Sequence, residues 1–155
     1  MNTGPYSDVM VQKYLEEEFV PLKSQCFWDK RTELMKQFYI AWTPTLLVHD
    51  TAGQEHHRIV GFVPSDDFLA HLGLGKGKIF FNHFRFAEAI AQFHAIVERH
   101  PNAGVIPETI FFLGVAEYWK THDAKALRRT YDTLTVKYPM SEWARRATPY
   151  AQIPS

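Results

Sequence analysis

The stretch WTPTLLVHDTAGQEHHRIVGF, residues 42–62, decides the fold. Thr43-Pro44-Thr45 leads into an apolar run, Leu46–Val48, and a second run follows at Arg58–Phe62. Asp50–Gly53 between them has the composition of a tight turn. The two runs therefore read as a β-hairpin with strands near 44–49 and 56–62. Pro44 suits the start of the first strand, where its missing N–H takes no bond from the ladder.

Toward the N-terminus, residues 1–6 read as a loose lead-in containing Gly4-Pro5. Val9, Val11, Tyr14 and Leu15, mixed with Lys13 and Glu16–Glu18, predict an amphipathic helix over about 7–18 with Ser7 as N-cap. Phe19–Lys23 reads as a short strand, and Pro21 within it points to a sheet edge. Asp29 is the expected N-cap of a second helix, about 30–39, with Leu34, Met35 and Phe38 on its apolar face. Beyond the hairpin, Ser65 is the expected cap of a third helix. Asp66 and Asp67 sit in its first turn, where the helix dipole favours carboxylates, and Phe68, Leu69 and Leu72 form its buried face. Gly73, Gly75 and Gly77 are read as a helix stop and a joint. They follow a helix rather than a strand, which does not suit a phosphate loop.

From Lys78 onward the period is helical. Phe86, Ala89, Ile90, Phe93, Ile96 and Val97 form one stripe, stopped by His100-Pro101-Asn102. Phe111 to Trp119 begins another helix and Leu127, Tyr131 and Leu134 a third. Ser141 caps a last short one carrying Trp143 and Ala144. Helices joined by short turns in this way give antiparallel hairpins. Phe86, Ala89, Phe93, Ile96 and Pro101 are matched by Ala124, Leu127, Tyr131, Leu134 and Pro139 at a constant offset of 38 residues. A period in that range is the mark of a helical-hairpin solenoid.

The totals agree with a folded chain. Of 155 residues, 46% are apolar and 15% aromatic, enough for a packed core. The longest apolar runs are far short of the roughly 20 residues of a membrane helix. No basic-then-apolar leader opens the sequence, so nothing in these residues directs secretion, and a cytoplasmic setting is the default expectation. Cys26 is the single cysteine, which excludes an internal disulfide and a Cys-x-x-Cys pair within these residues. Residues 1–74 hold 6 Lys/Arg and 10 Asp/Glu, giving −4. Residues 75–155 hold 11 and 7, giving +4. Such a split favours association of the halves or of neighbouring copies, and a +4 unit is too weakly basic to point to nucleic acid.

The first half resembles the thioredoxin-like family in FVPLK (Phe19–Lys23), the helix ending at Phe38-Tyr39, TPTLLV (Thr43–Val48), the turn Asp50–Gly53, RIVGF (Arg58–Phe62) and PSDDFLAHL (Pro64–Leu72). The resemblance implies a cis peptide bond at Thr43-Pro44. The second half resembles tetratricopeptide-type (TPR-like) repeats, with Leu113-Gly114 in the first helix of the second unit. It departs by a one-residue slip between Gly114 and Asp123 and by extra residues near Asn102–Pro107. The expected fold class is thus α/β: a thioredoxin-like unit, residues 1–74, incomplete at its N-terminus, followed by an all-α helical-hairpin unit, residues 75–155. In the family a strand and a Cys-x-x-Cys turn precede the helix placed at 7–18, and that strand lies between FVPLK and TPTLLV. Three arrangements answer its absence: Phe19–Leu22 pairs directly with Leu46–Val48, another chain fills the gap, or the natural protein starts upstream.

The resemblance makes Trp42, Thr43 and Pro44 the candidate peptide- or partner-binding site. In the family the backbone before the cis proline accepts an extended peptide by strand addition. Trp42 is either an interface anchor or a plug for the space of the missing strand. Cys26 is a lone reactive thiol or a half-buried one, with no evident base beside it. His49, Asp50, His56 and His57 gather at the hairpin turn, but neighbouring strand residues point to opposite faces, so at most one of His56 and His57 joins a metal cluster. His83, His94, His100 and His122 read as surface residues. The aromatics Phe80, Phe81, Phe84, Phe86, Phe93, Phe111, Phe112, Tyr118 and Trp119 read as helix packing rather than a ligand cavity, with any exposed member marking a binding face. No catalytic, cofactor or metal residues are assigned. The expected function is a non-catalytic protein-interaction or assembly module, by a protein partner or self-association, without nucleic acid or membrane insertion. The alternative is a thiol–disulfide oxidoreductase whose Cys-x-x-Cys turn lies upstream of Met1.

Overall fold

A computed structural model of the chain describes residues 4–27 and 29–155. Residues 1–3 of the expected lead-in lie outside that range. Pro5–Ser7 form a 3-10 turn and Val9–Glu18 helix α1. Its cap is Asp8 rather than Ser7: the Asp8 carboxylate accepts from the Met10 N–H at 2.8 Å, while the Ser7 hydroxyl donates to Gly4 O within the preceding turn. Helix α2, Glu33–Gln37, is shorter than expected and is capped by Thr32, whose Oγ1 accepts from the Met35 N–H, not by Asp29.

The hairpin is present. Strands β1 (Thr45–His49) and β2 (Glu55–Val60) pair antiparallel, with Leu46 opposite Ile59 and Val48 opposite His57. His49 then faces Glu55, so His56 is an extra residue that the ladder accommodates as a bulge. Gly53 has φ +80°, a left-handed turn position that suits glycine. Phe19–Lys23 is not a strand. Among the described residues the sheet has two strands, and nothing pairs with this segment, so Val20 (99% exposed) and Leu22 project into solvent.

Helix α3 (Ser65–Asn82) runs straight through the three glycines. The expected helix stop is therefore wrong, and the line drawn at 74/75 falls inside a helix. Ser65 is its first residue rather than its cap, a position taken by Pro64. The glycines instead allow close approach. A Cβ on Gly73 would lie 2.9 Å from Ile96 and on Gly75 2.8 Å from Val48 of β1, and on Gly77 it would overlap the Phe93 ring outright. One face of α3 thus presses on the next helix and another on the sheet.

Helices α4 (Phe86–Arg99), α5 (Ile106–Thr121), α6 (Lys125–Lys137) and α7 (Glu142–Arg146) follow where the periodicity puts them, and Ser141 caps α7 through the Ala144 N–H. Two clusters share α3. Val11, Val48, Phe68 and Leu72 form the smaller one; Ala70, Leu74, Ala89, Phe93 and Ile96 belong to the larger one among the helices. The first turn of α3 is tied to the α4–α5 loop, since Asp67 Oδ1 accepts from the Gly104 N–H and Asp66 pairs with His100 at 2.6 Å.

The seam between hairpin and helices is polar. His57 Nε2 meets His71 Nδ1 at 2.9 Å, Lys78 Nζ lies 3.4 Å from His57 Nδ1, and Lys78 also pairs with Glu108 of α5. Burial, helped by Lys78 and His71, pushes His57 down to about 3, and burial lowers His71 as well. The His57 ring thus stays neutral in the fold over the range in which the unfolded chain takes up its proton, below about pH 6.5. Stability is therefore full above that value and falls as the pH drops toward 3. Urea denaturation at pH 7.5 and 5.0 is expected to show a loss of up to about 2 kcal/mol, smaller in His57→Gln. Equal losses in both proteins would remove His57 as the cause.

Candidate functional site

The Thr43–Pro44 bond is cis, and it turns the chain from the exposed Ala41-Trp42 into β1. Thr45 Oγ1 donates to Trp42 O at 2.7 Å, and Pro44 O accepts from the Gly61 N–H at 2.8 Å, which closes the open end of the hairpin. The Trp42 side chain is not a plug: the residue is 69% exposed. Pro44 lines a shallow apolar cleft with Tyr6, Leu46, Ile59, Phe62 and Phe68. β1 has β2 on one side only, so its outer edge keeps backbone groups without a strand partner among the described residues. Cys26 is half-buried in the segment without regular structure.

The hairpin turn divides the four expected histidine-cluster residues. Asp50 Oδ1 accepts from the Ala52 and Gln54 N–H groups, both at 2.9 Å, and these bonds fix the carboxylate. Its other oxygen, Oδ2, lies 3.0 Å from His56 Nε2 and 3.0 Å from His83 Nε2. Hydrogen bonds from His56, the Gln54 backbone and His83 hold the Asp50 carboxyl well below the usual carboxylate range. His57 lies in the buried row with Ile59 and joins the seam instead, as strand alternation requires. His49 stays apart against Phe38, ring centres 5.1 Å apart.

His83, read from sequence as a surface residue, is half-exposed yet reaches the turn. The end of α3 explains this. Phe84 takes φ +58°, the Arg85 N–H bonds Phe80 O, and the Phe84 N–H bonds Phe81 O, so the chain reverses at once and holds His83 beside the hairpin. No local pattern marks that meeting, because His83 lies 33 residues from Asp50. His71, Lys78 and Glu108 escaped the sequence reading for the same reason.

The aromatic set packs between helices, with Phe81 against Phe86 and Phe112, and Phe93 against Phe112. Phe84 (75%) and Trp119 (48%) are its exposed members, and Trp119 stacks on Phe86.

Residues 5–76 match the family model described as a thioredoxin-like domain. The matched segment spans α1, α2, the hairpin and two thirds of α3. No curated protein and no solved structure matches the chain. The thioredoxin-like segment is followed by a helical region, and no helix among the described residues is long and apolar enough to cross a membrane.

Proposed function

We propose that the chain is a non-catalytic interaction or assembly module. It comprises a thioredoxin-like unit over 1–74 and a TPR-like helical unit over 75–155, with α3 common to both. The partner, a protein or a second copy of the chain, docks an extended segment at Trp42, Thr43 and Pro44. The observation that carries this reading is a solvent-exposed indole at the start of a strand whose outer edge has no strand partner among the described residues. Strand addition supplies main-chain hydrogen bonds along such an edge, and an exposed tryptophan supplies an anchor. Helical support comes from a repeated contact. Gly77 of α3 meets Phe93 sixteen residues on, and Gly114 of α5 meets Thr130 at the same spacing.

A photo-crosslinking side chain at position 42 tests the site in cells. The expected result is a discrete adduct with one partner or with a second copy, absent when the probe is moved to the exposed Val136. Identical patterns from both positions would refute it. Trp42→Ala should abolish the interaction while leaving stability within about 0.5 kcal/mol, as surface changes do.

The match of residues 5–76 to a thioredoxin-like domain favours a second reading, a thiol–disulfide oxidoreductase with its Cys-x-x-Cys turn upstream. Intact mass of the protein from its native source, with and without thiol alkylation, separates the two. A mass near 18.0 kDa with one alkylated cysteine supports the binding module. A larger mass with two further thiols supports the oxidoreductase.

A further inference from the structure

We infer that Asp50, His56 and His83 form a site for a borderline divalent cation such as zinc, which clips the hairpin turn to the end of α3. One ligand atom from each residue lies within 4.8 Å of the others, and Asp50 Oδ2 is 3.0 Å from both imidazole Nε2 atoms. Zinc bonds of about 2.0–2.1 Å place tetrahedral ligand atoms about 3.3 Å apart. On binding, the two 3.0 Å Asp50–imidazole distances therefore open slightly, while the two imidazoles, whose ligand atoms lie within 4.8 Å, settle to the same spacing. Two imidazoles and a carboxylate suit zinc and its neighbours and do not suit magnesium or calcium.

The surroundings orient the ligands. Asp50 spends its other oxygen on two backbone N–H groups, which aims Oδ2 inward. The bulge at His56 turns this ring toward Asp50. His56 Nδ1 is 2.9 Å from the Asn82 side-chain amide. With that amide turned to present its oxygen, Nδ1–H donates to Asn82 and Nε2 is free for the metal, the usual second partner of a ligating histidine. His83 caps α3 at its C-terminal end, where the helix dipole favours positive charge. The His56 and Asp50 side chains are 1% and 5% exposed, while His83 at 51% leaves a path from solvent and a fourth position for water. The clip is independent of the partner reading, since it lies at the opposite end of the hairpin from Trp42.

The test uses the full chain, freed of any tag and stripped with chelator, titrated with zinc chloride against a chromophoric chelator. The expected result is one zinc per chain, retained in Cys26→Ser, with a rise in melting temperature and no matching response to magnesium. His83→Gln and Asp50→Asn should each weaken binding at least tenfold. The amide oxygen introduced by Asp50→Asn can still accept the two turn bonds, and His83→Gln carries the test alone if that variant fails to fold. Side-chain NMR should show zinc moving His56 and His83 Nε2 while His94 and His122 stay unchanged. Absence of stoichiometric zinc, loss of binding in Cys26→Ser, or undiminished affinity in His83→Gln would each overturn the site.

Discussion

Replacing Gly77 with alanine is expected to destabilise the protein by about 2–3 kcal/mol, although alanine is the better helix former. The added methyl would overlap the Phe93 ring, and Phe93 is fully buried between α3, α4 and α5. Helix propensity returns about 1 kcal/mol, so the steric term must exceed it by a wide margin. Phe93 also packs against Phe112, ring centres 6.4 Å apart, so its withdrawal would disturb a second helix contact. A double-mutant cycle separates the clash from other effects. Phe93→Leu alone leaves a cavity and lowers stability, but in its presence Gly77→Ala should cost at least about 1 kcal/mol less. Urea denaturation followed by circular dichroism reads all four proteins. A neutral or stabilising Gly77→Ala would show that the two helices separate freely and that close approach is not why glycine stands there. Gly75→Ala presses on Val48 instead, at 2.8 Å, and should loosen the hairpin.

Lys78→Met is expected to cost about 2–3 kcal/mol. Lys78 pairs with Glu108 across α3 and α5, with side-chain exposures of 15% and 18%, and its ammonium lies 5.1 Å over the Phe112 ring. Removing the cation leaves the largely buried Glu108 carboxylate without its ion-pair partner. A fully buried pair would lose about 3–5 kcal/mol on such a change, and partial exposure reduces that. Lys78→Met with Glu108→Leu removes both charges and keeps the volume, so the double variant should recover most of the loss. If the double variant is no more stable than Lys78→Met, the loss lies in the packing of the lysine stem rather than in an orphaned charge.

The local elements of this chain were largely written in local sequence. The β1–β2 hairpin follows from two apolar runs and an Asp/Gly turn, and helices α4 to α7 follow from apolar periodicity and capping residues such as Ser141. Caps went astray where two polar residues competed within a few positions: Asp8 displaced Ser7, and Thr32 displaced Asp29. Strand alternation also placed His56 and His57 on separate sides of the problem, as their different partners bear out.

Tertiary contact decided the rest. Phe19–Lys23 has strand composition, but a strand exists only through a neighbour's backbone, and among the described residues it has none. Gly73, Gly75 and Gly77 read locally as a breaker, because glycine weakens an isolated helix. In the fold, contacts with Ile96, Val48 and Phe93 outweigh that weakness, and α3 continues through them to serve both clusters. The Asp50–His56–His83 group and the His57–His71–Lys78–Glu108 seam join residues far apart in the chain. No local pattern encodes such meetings. They arise only when packing of α3 against the sheet fixes which side chains face one another.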